Sequence, residues 1–181
     1  MATQKPRCIL LTGPLGAGKS TISALYGGEH PLTLLVHTDE LMGMVSGWLE
    51  HEELALQMTF QFALDMTRRH LRGGHDVMLP YFVHTPEEIA AIAKIAEETG
   101  AEFHAFLLHI SKELSVQRTL ERGSWGEPGS PPVTEADTPI IEAKYDELMA
   151  AVADYPGLHR FETTACTVDE TYTQLMHTLT G

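Results

Sequence analysis

Short apolar runs alternate along the chain with longer stretches of helical periodicity. This alternation predicts an α/β fold with a mainly parallel sheet. Arg7 to Thr12 encloses an unbroken apolar run and reads as a buried first strand. Leu32 to His37 reads as a second strand, Asp76 to Leu79 opens a third, Glu102 to Ile110 forms a fourth, and Leu158 to Phe161 a short fifth. Helices are expected from Lys19, from about Glu40, and over Glu53 to Leu71, where Leu54, Met58, Phe62 and Met66 fall on one stripe. Ile89, Ile92, Ala93 and Ala96 supply the buried face of the next helix. Val168, Tyr172, Leu175, Met176 and Leu179 supply that of the last.

Punctuation residues support these boundaries. Gly73-Gly74 ends the long helix. Thr85-Pro86-Glu87-Glu88 combines a threonine cap, a proline at the first helical position and a glutamate at the third. Ser111 reads as the cap of a helix running to about Arg122, Thr138-Pro139 as another start, and Thr167 to Glu170 as a second capping box. Gly123 to Pro132 is rich in Gly, Pro and Ser and reads as a loop. No repeat or dividing linker interrupts the pattern. Residues 1–181 therefore read as one domain of three layers, five strands between helices, with a short lid at about 122–136.

Gly13-Pro14-Leu15-Gly16-Ala17-Gly18-Lys19-Ser20 matches GxxxxGK[ST] between the first strand and a helix. Glycines let such a loop turn so that successive backbone N–H groups point at phosphate oxygens, and the helix that follows adds the positive end of its dipole. Lys19 is placed for the β and γ phosphates and Ser20 for Mg²⁺, with Thr21 beside it. The expected cofactors are ATP and Mg²⁺. Asp39 lies just past the second strand, on the side where open α/β sheets bind ligands. It suits a catalytic base or a Mg²⁺ ligand, and it also suits a helix cap. His37 is a further candidate for substrate contact or proton transfer. Arg118 and Arg122 share a helix face beside the glycine-rich loop, where guanidinium forks suit a transferring phosphoryl group. Arginines also simply favour a helix C-terminus. Trp125 stands either to close over a substrate or to pack against the domain.

On the phosphate loop and the serine-to-arginine helix, the chain resembles the small P-loop kinases, among them gluconate- and shikimate-kinase-like enzymes and chloramphenicol phosphotransferase. The resemblance spans nearly the whole chain. It implies a P-loop NTPase fold, Asp39 as base, and adenine packing against the loop that holds Thr163 and Thr164. In this group the third strand often ends in aspartate, whereas here Leu79 is followed by Pro80. At that point the chain is similar to tunicamycin-resistance proteins, which share an apolar strand ending in proline and a Pro-Glu helix start. Tyr81 and His84 follow on the ligand side and are candidate substrate contacts. So is Trp48, beside Glu50, His51, Glu52 and Glu53, an acidic stretch that suits a cationic or hydroxyl-rich substrate and equally suits a helix start.

Composition narrows the partners. With 12 basic and 25 acidic residues the net charge is −13, which argues against nucleic acid and anionic membranes. Cys8 and Cys166 form no metal or redox spacing. No apolar run approaches a membrane span or a signal-peptide core, and a cytoplasmic protein is expected, monomeric or homodimeric. Three readings remain. One is a kinase acting on a hydroxyl of an antibiotic, sugar or nucleoside. The second is a nucleotide-dependent binding or resistance protein without turnover. The third is a polynucleotide 5′-hydroxyl kinase, which the charge opposes.

Overall fold

A computed structural model describes residues 5–180. Among them lie five strands: β1 Arg7–Thr12, β2 Leu34–Leu35, β3 Val77–Pro80, β4 Glu102–His109 and β5 Leu158–Glu162. All pair in parallel, in the order β2-β3-β1-β4-β5. The helices are α1 Lys19–Glu29, α2 Thr38–Met44, α3 Glu52–Leu71, α4 Pro86–Thr99, α5 Lys112–Arg122, α6 Thr138–Val152 and α7 Val168–Thr180. The α/β sheet flanked by helices matches the expected P-loop fold.

The sheet's two faces carry separate cores. Cys8 and Leu10 of β1 point into one with Val77, Leu79, Ala105 and Leu107, which α3, α4 and α6 cover. Ile9 and Leu11 point into the other with Met78, Phe106 and Leu108, which α1 and α7 cover. Every residue of β1 is buried, which is why the central strand lacks polar alternation. Burial also pushes the Cys8 thiol up to about 12, so it is an inert packing group.

Most caps fall where the sequence places them. Ser111 Oγ accepts from Leu114 N, and Thr167 and Glu170 cap one another's backbone. Several expectations need correcting. The second strand is only two residues long, because Leu32 adopts φ 70 and breaks the extended run. α2 begins at Thr38, so Asp39 sits in its first turn and His37 is the cap residue. The stripe of Leu54, Met58, Phe62 and Met66 faces outward. α3 instead buries the smaller Ala55, Thr59, Ala63 and Thr67 together with Leu64 and Leu71, which bring it close to α2 and α4. Ile95 takes the buried place expected of Ala93, and Val168 is exposed at the start of α7.

Asp76, just before β3 at the end of the strands remote from the phosphate loop, is a structural tie. Its carboxylate accepts from Arg7 N at 2.8 Å and from the Tyr26 hydroxyl at 2.7 Å. Tyr26 is fully buried, so its hydroxyl has no water to fall back on. Replacing Asp76 by Ala should therefore cost about 3 kcal/mol, read by denaturant unfolding, with a smaller loss for Asp76→Asn. Equal stability of Asp76→Ala and the parent chain would contradict this role.

Candidate active site

Side-chain donors hold the carbonyl groups of the phosphate loop. Lys19 Nζ donates to Gly13 O at 2.7 Å and Pro14 O at 3.2 Å. Ser115 Oγ donates to Leu15 O at 2.8 Å, and Arg118 Nη1 to Gly16 O at 3.2 Å. Gly16 has φ +74, and a Cβ there would lie 2.8 Å from Arg118 Cβ, so only glycine lets α5 approach this closely. On the amide side, Ala17 N bonds Pro14 O, while the first turn of α1 has no capping side chain. The amides of Leu15, Gly16, Gly18, Lys19, Ser20 and Thr21 are thus free for an anion.

These residues line a cavity of about 440 Å³. Asp39 enters it from α2, and Arg118 and Arg122 from α5. Its far wall is built by Met42, Trp48, Glu52, Leu56, Thr59, Pro80, Tyr81, Phe82 and His84, with Trp125 and Glu127 from the lid loop and Lys144 from α6. The cavity therefore joins a cationic, amide-lined end to an aromatic end that carries carboxylates. Burial pushes Lys19 down to about 8, with the nearby Asp39 opposing the shift and Arg122 adding to it. Burial pushes the Glu127 carboxyl up, and Asp39 and Glu52 add to that rise.

The lid lies against the aromatic end. Arg122 holds its start through Ser124 O at 2.8 Å and Trp125 O at 3.0 Å. Its tip reaches α2 and the turn after it: Trp48 Nε1 donates to Pro128 O at 3.2 Å, and a Cβ on Gly43 would come 2.8 Å from Pro128.

The structure places the remaining candidates as follows. Tyr81 shows its ring to the cavity, but its hydroxyl is bonded to Glu88 at 2.9 Å, and burial followed by Glu88 drives its ionisation far upward. His84 lines the cavity with Nδ1 held 2.8 Å from Glu147. His37 does not line it. Thr163 and Thr164 lie outside it, at the end of β5, with Thr163 Oγ1 donating to His109 O and Thr164 Oγ1 accepting from Ser111 N. Gly13 and Pro14 supply loop carbonyls and no cavity wall. Glu127 and Lys144 were not foreseen. A lone acid between Gly126 and Pro128 was a signal for the first; nothing local marks the second. Ser20 and Asp39 offer one hydroxyl and one carboxylate at the cavity, a donor set that suits Mg²⁺ shared with phosphate oxygens. No cage of three or more His, Cys, Asp or Glu occurs among the described residues.

A family model described as an AAA domain matches residues 8–147. No curated protein sequence matches the chain. Similar solved structures include the tunicamycin resistance protein of Deinococcus radiodurans, at 18 % identity and TM-score 0.63 over 98 % of this chain and 96 % of that one. Shikimate kinase from Acinetobacter baumannii, in complex with shikimate, shares 14 % identity at TM-score 0.64, covering 98 % and 94 %. APS kinase of Mycobacterium tuberculosis, in complex with AMPPNP and APS, shares 16 % at 0.63, covering 98 % and 99 %. At these identities the likeness is one of fold. The resemblance to small P-loop kinases holds, with the tunicamycin-resistance likeness among its structural neighbours.

Because phosphates favour the charged form of Lys19, nucleotide binding should draw a proton onto it as pH rises past about 8. Affinity for ATP should then fall between about pH 8 and pH 10, and calorimetry in buffers of different ionisation heat should register proton uptake. A flat affinity over that range, unchanged by Lys19→Arg, would contradict the depressed value.

Proposed function

We propose that this chain, which belongs to the AAA-domain family, is an ATP-dependent phosphotransferase that moves the γ-phosphoryl group to a hydroxyl of a small molecule such as an antibiotic, sugar or nucleoside. One observation carries the reading: a single cavity joins the free loop amides, Asp39 and the two arginines to a wall of aromatic side chains. The neighbours that bind AMPPNP with APS, or shikimate, share this fold and lend it support.

In this reading the loop amides and Lys19 grip the phosphates. Arg118 and Arg122 neutralise charge that develops on the transferring group. Asp39 accepts the proton of the attacking hydroxyl. Ser20 would hold Mg²⁺, joined by Asp39 where that carboxylate serves as ligand in place of base, and the ion would supply positive charge against the phosphate oxygens. The lid, tied to Trp48 through Pro128, shields the chamber from water. A cytoplasmic location fits a reaction that consumes ATP.

Pro80 favours a second reading. It lines the cavity where related kinases often carry an acid, so the chain binds ligand in the presence of nucleotide and does not turn it over. The tunicamycin resistance protein with this fold makes such a role worth testing.

The test is ATP consumption with Mg²⁺ against a panel of hydroxylated small molecules, with products read by mass. Product should form with one acceptor class, Lys19→Ala should abolish it, and Asp39→Asn should lower kcat by about 10²- to 10⁴-fold. ATP binding with no product across the panel favours the second reading. Undiminished turnover by Lys19→Ala would overturn the first.

A further inference from the structure

The outward face of α3 concentrates the exposed apolar surface of the molecule. Among the described residues, large exposed hydrophobic side chains are Leu32, Met44, Leu49, Leu54, Met58, Phe62 and Met66 near this helix, and elsewhere only Ile140 and Val168. Leu54, Met58, Phe62 and Met66 recur every four residues, so they form a continuous seam along α3, and Phe62 at its centre is 44 % exposed. Leu32 is held beside the far end of the seam, because the His70 ring bonds its carbonyl at 2.8 Å. A seam of this kind on a surface otherwise rich in charge marks an interaction face.

Charge along the helix tells what fits it. α3 and the turn before it begin with Glu50, Glu52 and Glu53, and α3 ends with Arg68, Arg69 and His70. Arg68 is occupied by Asp65 at 2.8 Å and Glu98 at 3.4 Å. Arg69 and Arg72 have no ion-pair partner among the described residues, and neither do Glu50 and Glu53. The acidic and the basic ends are thus both unspent, in a chain whose net charge of −13 leaves few basic residues to spare.

We propose that the α3 face is the interface of a two-fold symmetric homodimer in which the helices pack antiparallel. With the axis between Met58 and Phe62, Leu54 meets the second copy's Met66, and Met58 meets its Phe62. The pattern is self-complementary, as a two-fold interface requires. The same arrangement sets Glu50 of each chain, one turn before Leu54, beside Arg69 of the other, and opposes the two helix dipoles favourably. At the basic end a groove of about 410 Å³, lined by Leu34, Met66, Arg69 and His70, receives the side chains at the start of the second copy's α3. An acidic partner of another kind would satisfy Arg69 and Arg72 and leave Glu50 facing like charge.

Sedimentation and light scattering of the full chain, across micromolar to submillimolar concentration, test this. Wild type should show twice the 20.0 kDa chain mass. Phe62→Asp, at an exposed site, should be monomeric with an unchanged circular dichroism spectrum. Arg69→Glu should weaken association roughly tenfold, because each surface ion pair occurs twice in the dimer, and adding Glu50→Arg to it should restore association by re-forming the pair in reverse. A wild-type mass of one chain throughout, or a dimer indifferent to both Phe62→Asp and Arg69→Glu, would overturn the proposal.

Discussion

The site depends on which way the phosphate loop faces. A peptide group points its N–H and its C=O in opposite directions, so a loop that offers amides to an anion must find partners for its carbonyls elsewhere. Here Lys19, Ser115 and Arg118 supply them, for Gly13, Pro14, Leu15 and Gly16. Two of these three donors come from α5. The loop's conformation is therefore set by long-range contacts as well as by its glycines, and α5 must sit against it for the amides to stay free.

That requirement organises the other end of the cavity. α5 ends in a left-handed Gly123, and Arg122 there grips the first carbonyls of the lid. One helix thus braces the loop, delivers both arginines, and aims the lid back over α2. Trp48 then ties the lid tip to the wall that carries Asp39 and Glu52. Lys19, Arg118 and Arg122 stand with the loop amides and Asp39 faces them from α2, while Glu52, Glu127 and Lys144 line the far wall, so both signs of charge meet in the cavity. The depressed Lys19 and the raised Glu127 both follow from the low polarity of the enclosure between them.

Sequence reading succeeded where the signal is local. The phosphate loop, the threonine and serine caps and the buried β1 each announce themselves within about ten residues, because a turn or a cap is a short-range solution to backbone hydrogen bonding. It failed where burial is decided by what already covers a face. The stripe of α3 has faultless helical spacing, yet small Ala55, Thr59 and Ala63 won the inner side because closeness to α2 and α4 demands them. Spacing tells that four residues share a side; it does not tell which side is inside. Glu127 and Lys144 escaped for a related reason. They reach the cavity from a loop and from α6, and only the tertiary fold brings those segments to α2.

The short β2 links two features that look unrelated in sequence. Its ladder to β3 runs from Leu34 N to Asp76 O, then from Val36 N to Met78 O, and ends there as the chain turns into α2. The next rung would have required an N–H on residue 80, which proline lacks. Pro80 therefore forgoes a hydrogen bond only at the end of the ladder, while Tyr81 N resumes pairing with Leu11 O on the β1 side. The same early departure starts α2 at Thr38 and carries Asp39 into the cavity in its first turn. Where the end of β3 carries no carboxylate, the neighbouring segment supplies one across the same opening. The acid at the phosphate end of this cavity thus rests on the length of β2 as much as on the identity of any residue in β3.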